Sequence, residues 1–189
     1  MAQAKTLTVR ELRKVIDHLP VNKYRSRNRL MLLMTHWSGM RVGEVAALSI
    51  GDVRNVDGTV KHEIRLDAKQ TKGNHARTVF VNDRLRKEMG AYIKNKVTTD
   101  PSKPLFRTQK RSAFSANTLC QTLNGLYRHA GIDGATSHSG RRSFITVLAS
   151  KGIGVRVLAS LAGHKSIATT QAYIDVNDEM KRAAVELVG

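Results

Sequence analysis

The chain has 189 residues, of which 41% are hydrophobic, and it carries a formal net charge of +17. This length suits one ordinary domain with a hydrophobic core and is short for two. The longest apolar run, 30–34, is too short to span a bilayer, and the N-terminus shows no charged-then-apolar export signal. The single cysteine, Cys120, excludes an intrachain disulfide and suits a core position in a reducing compartment.

The excess of positive charge is the first functional signal. The chain has 32 Lys and Arg residues against 15 Asp and Glu residues, and a chain this basic repels itself unless it binds a polyanion. Nucleic acid is the usual partner. The basic residues are spread along the chain, which favours a folded binding surface over a disordered arm. The sequence shows no strongly basic amphipathic helix of the kind that binds a membrane surface. Charge alone leaves open DNA or RNA, and enzyme or packaging protein.

Local patterns predict helices at the N-terminal end of the chain. Thr8 and Glu11 form a capping box, which predicts a helix to about Leu19. A second helix is predicted to stop near Gly39, and a third fits residues 42–48.

The segment 53–81 instead predicts a small antiparallel sheet of three strands. Asp57-Gly58 is a turn signal, and the alternating positions at 60–66 are typical of a half-buried strand. A second turn at 71–74 leads into a returning strand at 78–81.

Beyond the sheet the pattern is helical again. The apolar spacing predicts helices over 83–94, 116–129, 140–150, 155–161 and 167–173, and an amphipathic stripe in the tail from residue 178. The predicted fold class is therefore α+β, mainly α-helical with one small antiparallel three-stranded sheet.

Two polar positions stand out in the first half of the chain. Arg41 follows a glycine at a predicted helix start, and helical spacing puts it on one face with Glu44. A surface ion pair is the commoner meaning of such a pair. Lys72 lies in the predicted hairpin turn, where a solvated lysine is the ordinary interpretation.

Four more residues stand out in the second half. His138 and Arg141 lie three residues apart at a helix start, where backbone N–H groups attract anions, so they suit either a phosphate cradle or a capped basic helix. Gly163-His164 marks a helix end. Tyr173 follows His164 by nine residues, and a tyrosine in a helix is more often a core residue than a nucleophile.

The order of these residues is more specific than any one of them. The order Arg, Lys, His-x-x-Arg, His, Tyr, with its local spacing, resembles the tyrosine recombinase family of phage integrases and Xer-type resolvases. The residues that carry the resemblance are Arg41 with Glu44 in the segment 38–44, Lys72 in 71–74, His138 with Arg141, His164 in 161–164, and Tyr173.

The resemblance implies site-specific DNA recombination, such as integration or excision, through strand cleavage and rejoining with a 3′-phosphotyrosyl intermediate. Arg41 and Arg141 would hold the phosphate under attack, because a guanidinium donates bidentate hydrogen bonds and stays charged. His164 would add a hydrogen bond to the same phosphate. Glu44 would orient Arg41 or His138.

The resemblance also assigns the proton transfers. Tyr173 would be the nucleophile, and a phenol, whose ordinary pKa is about 10, needs a base or a positive field to attack. His138 would accept its proton, and Lys72 would protonate the leaving 5′ oxygen. The family uses no ATP, no other cofactor and no catalytic metal, and the sequence contains no G-x-x-x-x-G-K-[ST] phosphate loop.

The resemblance runs from about residue 6 to residue 189. We therefore expect a single catalytic domain, 1–189, with a core at 6–177 and a tail at 178–189 that docks on a neighbouring subunit. The N-terminal DNA-clamp domain of most members is expected to be absent, because the chain is either an excised fragment or a short family member.

The resemblance further implies the partners and the location. The expected partners are double-stranded DNA, three further copies of the chain in a homotetramer on DNA, and accessory DNA-bending proteins, with no membrane. The free chain is expected to be monomeric or weakly associated. A cytoplasmic, nucleoid-associated protein of prokaryotic or phage origin is expected.

One residue departs from the family's usual pattern, since Arg142 follows Arg141 where many members have His. This difference removes no catalytic group. Two other functions stay open: a type IB topoisomerase-like enzyme, which would relax supercoils as a monomer, and a noncatalytic DNA-binding module, which would not need Tyr173.

Overall fold

The computed structural model describes residues 4–71, 74–95, 98–174 and 178–188. The elements in chain order are α1 (Val9–Asp17), α2 (Arg25–Trp37), α3 (Val42–Ala46), α4 (Ile50–Val53), β1 (Glu63–Leu66), β2 (Arg77–Phe80), α5 (Asp83–Lys94), α6 (Ala116–His129), α7 (Ser139–Ser150), α8 (Val155–Ala162), α9 (Ile167–Gln171) and α10 (Asp178–Val185), with 3-10 turns at Ala68–Gln70 and Glu186–Val188. Within these ranges, none of the helices is long and apolar enough to cross a membrane.

Side-chain caps fix where several helices begin. The predicted capping box of α1 is present, because Thr8 Oγ1 accepts from the Glu11 amide at 3.1 Å and Glu11 Oε2 accepts from the Thr8 amide at 2.9 Å. Asn82 and Ser115 likewise accept backbone amides at the starts of α5 and α6. Both of these helices begin and end at the residues that the sequence predicted.

The sheet corrects the prediction, because among the described residues it has two strands rather than three. β1 and β2 pair in antiparallel register. Residues 50–53, just before the expected first strand, form α4, and Arg54 then meets Val60 in a single isolated bridge. The Asn55 amide donates to the Thr59 carbonyl at 2.8 Å, so the chain reverses here, but the helix at 50–53 prevents the bridge from extending into a third strand.

The core is organised around α2, in which residues 30–34 are each 1% exposed or less. This helix packs against α7, α5 and α3. Gly140 permits the close approach of α7, because a Cβ at this position would lie 2.3 Å from Thr35 Oγ1. Cys120 is partly buried against the same core, as the sequence indicated. The first turn of α7 is therefore held at the centre of the domain.

Candidate active site

The C-terminal end of α8 accepts hydrogen bonds from three arginines that are distant in sequence. The carbonyl of Leu161 accepts from Arg77 Nη1 at 2.9 Å. The carbonyl of Ala162 accepts from Arg141 Nη2 at 2.5 Å, and that of Gly163 from Arg41 Nη2 at 2.9 Å. The last carbonyls of a helix lack partners within the helix and carry its negative dipole end, so they favour cations. Three consecutive backbone oxygens thus gather three guanidinium groups.

Arg41 is held at both ends of its guanidinium. Nη1 donates to Glu44 Oε1 at 3.0 Å, while Nη2 reaches the end of α8. The Arg41 amide also donates to Glu44 Oε2 at 2.7 Å, which caps the first turn of α3. The predicted pairing of Arg41 with Glu44 is therefore present, and it is part of a buried network rather than a surface ion pair.

Arg77 joins the same network and was not assigned a role from the sequence. Its Nε donates to Glu44 Oε1 at 3.0 Å and its Nη2 to Glu44 Oε2 at 2.7 Å, a bidentate pair in which the Glu44 side chain is 1% exposed. The signal for Arg77 was available in the strand pattern. Arg77 lies on the same face of β2 as buried Val79, opposite Leu66, and an arginine in an inward position requires a partner.

The charges in this network shift the pKa of Glu44. Burial alone raises the pKa of this carboxyl, but hydrogen bonds and charge from Arg77 and Arg41 outweigh burial and bring the pKa below its ordinary value. Glu44 is therefore ionised at neutral pH. Three arginines against one carboxylate leave a surplus of two positive charges (3 − 1 = 2) among Arg41, Arg77, Arg141 and Glu44.

Arg141 is the most deeply buried of the three arginines and is 5% exposed. Its Nη1 donates to the carbonyl of Gly39 at 2.6 Å, and its Nη2 donates to that of Ala162. Burial, with the charge of Arg41 next, lowers the pKa of Arg141 to about 9. The guanidinium is still charged at neutral pH, and an approaching anion would relieve this cost.

The turn after α8 requires glycine at position 163 for two reasons. Gly163 adopts φ +63°, the left-handed region that side chains disfavour. A Cβ at this position would also lie 2.6 Å from Arg77 Cδ. Gly163 therefore allows Arg77 to reach both Glu44 and the end of α8.

His164 follows directly and is in its neutral form at neutral pH. Burial lowers its pKa to about 4, with further contributions from Arg141, Arg41 and Arg77. Its Nδ1 lies 2.8 Å from Thr170 Oγ1. When the threonine hydroxyl donates to Nδ1, Nε2 carries the ring proton and can donate to an anion.

Tyr173 lies beside His164 but outside a helix, which corrects the prediction of a helix over 167–173. α9 ends at Gln171, and the Tyr173 amide donates to the Thr170 carbonyl at 2.9 Å. This tighter bond replaces the helical one, so Tyr173 occupies a turn. Its ring stacks on the His164 ring with centroids 5.7 Å apart and an angle of 24°.

Of the remaining two predicted residues, the structure describes only His138. His138 is the residue before α7 and its side chain is exposed. Lys72 lies outside the described residues. Its sequence neighbour Thr71 lines a cavity of about 380 Å³ that also includes Arg41, Arg77 and His164.

Within the described ranges, no cluster of three or more His, Cys, Asp or Glu side chains could hold a metal ion. What the structure assembles is a positively charged centre next to His164, whose ring stacks on that of Tyr173. Fixed N–H donors of this kind stabilise charge that develops on an oxyanion.

Comparisons with known proteins found a matching family and similar relatives. The phage integrase family matches residues 5–180. Tyrosine recombinase XerA of Pyrococcus furiosus is 34% identical over 185 residues, which cover 96% of this chain and 61% of the relative. XerA of Thermococcus kodakarensis is 30% identical and is covered to 62%. The chain therefore spans about three fifths of the length of these curated relatives.

Solved structures share the fold. The crystal structure of XerA recombinase has a TM-score of 0.76 at 25% identity, and the match covers 98% of this chain and 66% of that one. A second structure shows XerH site-specific recombinase bound to palindromic difH substrate in a post-cleavage complex. It has a TM-score of 0.72 at 22% identity, and the match covers 95% of this chain and 51% of that one.

Proposed function

The chain belongs to the phage integrase family, and on that premise we propose that it cuts and rejoins DNA at specific sites through a bond between Tyr173 and a DNA phosphate. The observation that carries the proposal is the convergence of Arg41 and Arg141 on adjacent carbonyls of α8, directly before the histidine that stacks on Tyr173. This arrangement supports the proposal because a phosphodiester under attack needs positively charged donors close to the nucleophile.

The two arginines hold the phosphate. A guanidinium has five N–H donors, and the two carbonyl bonds of Arg141 use two of them. The others are available for nonbridging phosphate oxygens, whose negative charge grows during attack. His164, neutral and held by Thr170, donates a further hydrogen bond from Nε2.

Tyr173 is the nucleophile. Its Oη forms a bond to phosphorus while the bond from phosphorus to the 5′ oxygen breaks, which leaves a 3′-phosphotyrosyl link. His138 accepts the phenol proton, and Lys72 supplies a proton to the leaving oxygen. A 5′ hydroxyl of another strand then attacks the phosphorus and displaces Tyr173, with the proton transfers reversed. The phosphotyrosyl link retains the energy of the broken phosphodiester bond, so rejoining needs no ATP and no metal ion.

Glu44 and Arg77 position the arginines. Glu44 holds Arg41 through backbone and side chain, and Arg77 ties Glu44 to the end of α8. Neither group needs to touch DNA for this role. The pair fixes the distance between α3 and α8, and therefore between Arg41 and His164.

Assembly on double-stranded DNA is the further part of the proposal. The chain, with its core at 6–177, works as a homotetramer on DNA in the cytoplasm, with accessory bending proteins, and is monomeric or weakly associated when free. Val185 and Val188 in the tail are 70% and 87% exposed, which suits docking on a neighbouring subunit. The side chains of Met180 and Leu187 lie outside the described part. Deletion of 178–189 should abolish assembly on DNA while leaving the fold intact; unchanged assembly would contradict the docking role.

Covalent trapping on nicked suicide duplexes tests the chemistry. A pool with randomised core sequence would be incubated with wild type and Tyr173→Phe, in chelator and without nucleotide. The proposal predicts a denaturation-resistant adduct with wild type alone. Binding of the duplex pool by both proteins without any adduct would instead indicate a binding module.

A plasmid assay addresses the topoisomerase-like alternative. Wild type would be incubated with a supercoiled plasmid that lacks the sequence selected by trapping. Recombination at specific sites predicts that this plasmid stays supercoiled. Relaxation of this plasmid by the monomeric chain would favour the topoisomerase-like alternative.

A further inference from the structure

Arg142 lies next to Arg141 in α7 but contacts a different part of the molecule. Successive residues of a helix are turned by about 100°. Whereas Arg141 donates to the carbonyls of Gly39 and Ala162, the guanidinium carbon of Arg142 lies 5.4 Å from the centre of the Tyr173 ring. A cation this close to a ring is attracted by the negative charge of its face.

Thr6, which precedes α1, holds Arg142 from the other side. Arg142 Nε donates to Thr6 Oγ1 at 3.1 Å. The next residues repeat the attachment, since the Leu7 amide donates to Ser143 Oγ at 2.7 Å in a buried bond. Two successive residues of the segment before α1 are thus fastened to two successive residues of α7. Arg142 connects this segment to Tyr173.

The position of Tyr173 makes such contacts important. Because α9 ends at Gln171, no regular helix continues through Tyr173. Its backbone is held by the bond to Thr170, and Thr146 Oγ1 lies 3.5 Å from its carbonyl. These bonds fix the main chain and leave the direction of the ring to the side chains around it, of which His164 is one.

We propose that Arg142 is a positioning residue that orients the Tyr173 ring, and that Thr6 fixes Arg142, so that the segment preceding α1 acts on the nucleophile. This rests on the proposed function of Tyr173 and extends it by linking the start of the domain to the reacting group. The alternative role for an arginine at this place is a direct contact with a DNA phosphate, which would strengthen binding without orienting the ring.

Four variants separate these roles. Arg142→Met removes the charge but keeps a long stem, and Arg142→Lys keeps the charge. Thr6→Val removes the acceptor at similar volume. Arg84→Met, at an exposed position in α5, controls for the loss of one positive charge. Cleavage would be measured in a single turnover with saturating protein, and DNA affinity would be measured separately.

Positioning predicts effects on cleavage rather than on affinity. Arg142→Met should slow cleavage about tenfold, while its DNA affinity matches that of Arg84→Met. Arg142→Lys should restore part of the rate because it keeps a cation near the ring. Thr6→Val should slow cleavage about threefold. An unchanged cleavage rate for Arg142→Met, with weakened DNA binding, would establish the phosphate contact instead and overturn the proposal.

A second measurement does not depend on activity. The chain has four tyrosines, so the ring signals of Tyr173 can be assigned in ring-labelled protein by comparison with Tyr173→Phe. Arg142→Met and Thr6→Val should both shift these NMR signals in the absence of DNA, and Arg84→Met should not. Unshifted signals overturn the positioning role. If the signals shift but wild type forms no adduct with any DNA, the contact stands and only the proposed function fails.

Discussion

The end of α8 and the turn that carries Tyr173 are neighbours, yet they are held in different ways. Three arginines and a buried carboxylate fasten the end of α8, and their bonds range from 2.5 to 3.0 Å. Tyr173 is half-buried and is held by a turn, a stacked histidine and a nearby arginine. The difference indicates that the groups proposed to bind the phosphate are in place before DNA arrives, whereas the orientation of the proposed nucleophile depends on fewer contacts.

Substitution of Arg141 should have the largest effect on this comparison. Arg141→Lys should lower the rate of covalent cleavage by about a hundredfold to a thousandfold, because one ammonium cannot span Gly39, Ala162 and a phosphate. Single-turnover cleavage measures this loss. Arg128→Lys, the same exchange at an exposed position in α6, is the control. A loss no larger than that of the control would mean that the fastened arginines are structural only.

Glu44→Gln should weaken the fastened region itself. Loss of the carboxylate leaves three arginines without their shared anion and should reduce the free energy of unfolding by about 3 kcal/mol at pH 7. Urea unfolding measures this, with Glu88→Gln as control. Glu88 pairs with Arg29 at the surface, where a salt bridge contributes about 0–1 kcal/mol.

The stabilisation by Glu44 depends on pH in a defined way. The pKa of Glu44 in the folded chain lies below its ordinary value of 4.5. Its stabilisation is therefore complete above pH 4.5 and is lost as the pH falls through the lower folded pKa. The difference between wild type and Glu44→Gln should shrink on acidification; a constant difference would show that the charge of Glu44 is not its cause.

Gly163→Ala tests how closely the two regions are linked. The left-handed conformation should cost about 1–2 kcal/mol in the free energy of unfolding. Gly152→Ala is a matched control, since it has φ +79° and nothing within 4 Å of the added Cβ. Only Gly163→Ala displaces Arg77, so only this variant should also slow cleavage, by about tenfold. Equal cleavage rates for both variants would show that the position of Arg77 does not affect cleavage.

The smallest expected effect concerns the stability contribution of His164. Its folded pKa of about 4 lies below the ordinary 6.5, so its contribution to stability is present above pH 6.5 and is lost as the pH falls towards 4. His164→Gln should lose less stability than wild type across this window in urea unfolding. His36, whose pKa burial also lowers to about 4, titrates in both proteins and cancels. Parallel curves for the two proteins would indicate that the folded chain does not lower the pKa of His164.

The sequence predicted the parts of the fold that depend on neighbouring residues. The box of Thr8 with Glu11 and the bounds of α5 and α6 arise from contacts within one turn of helix, which a local pattern reports directly. The predictions of a third strand and of a helix that continues to residue 173 were wrong. The third strand is replaced by the short helix at 50–53 and a single bridge, and α9 ends early because the Tyr173 amide bonds to the Thr170 carbonyl. Neither change alters the apolar pattern of the sequence.

The assembly of the candidate site was only partly predictable. The resemblance named Arg41, Glu44, Arg141 and His164, but the other acceptors of the arginines are backbone oxygens, whose positions cannot be identified from residue types. Arg77 is separated from Glu44 by 33 residues and from Leu161 by 84. Contacts over such distances follow from tertiary packing, so the strand pattern could indicate that Arg77 needs a partner but could not identify Glu44 or Leu161 as its partners.

The oxygens that gather the arginines belong to the main chain at Leu161, Ala162 and Gly163. An exchange of the leucine or alanine side chain leaves these acceptors where they are, provided that the helix ends at the same place. Insertion or deletion of one residue in α8 would instead shift all three acceptors at once. Among descendants of this chain, substitutions at positions 161 and 162 should therefore be tolerated far better than insertions or deletions in α8.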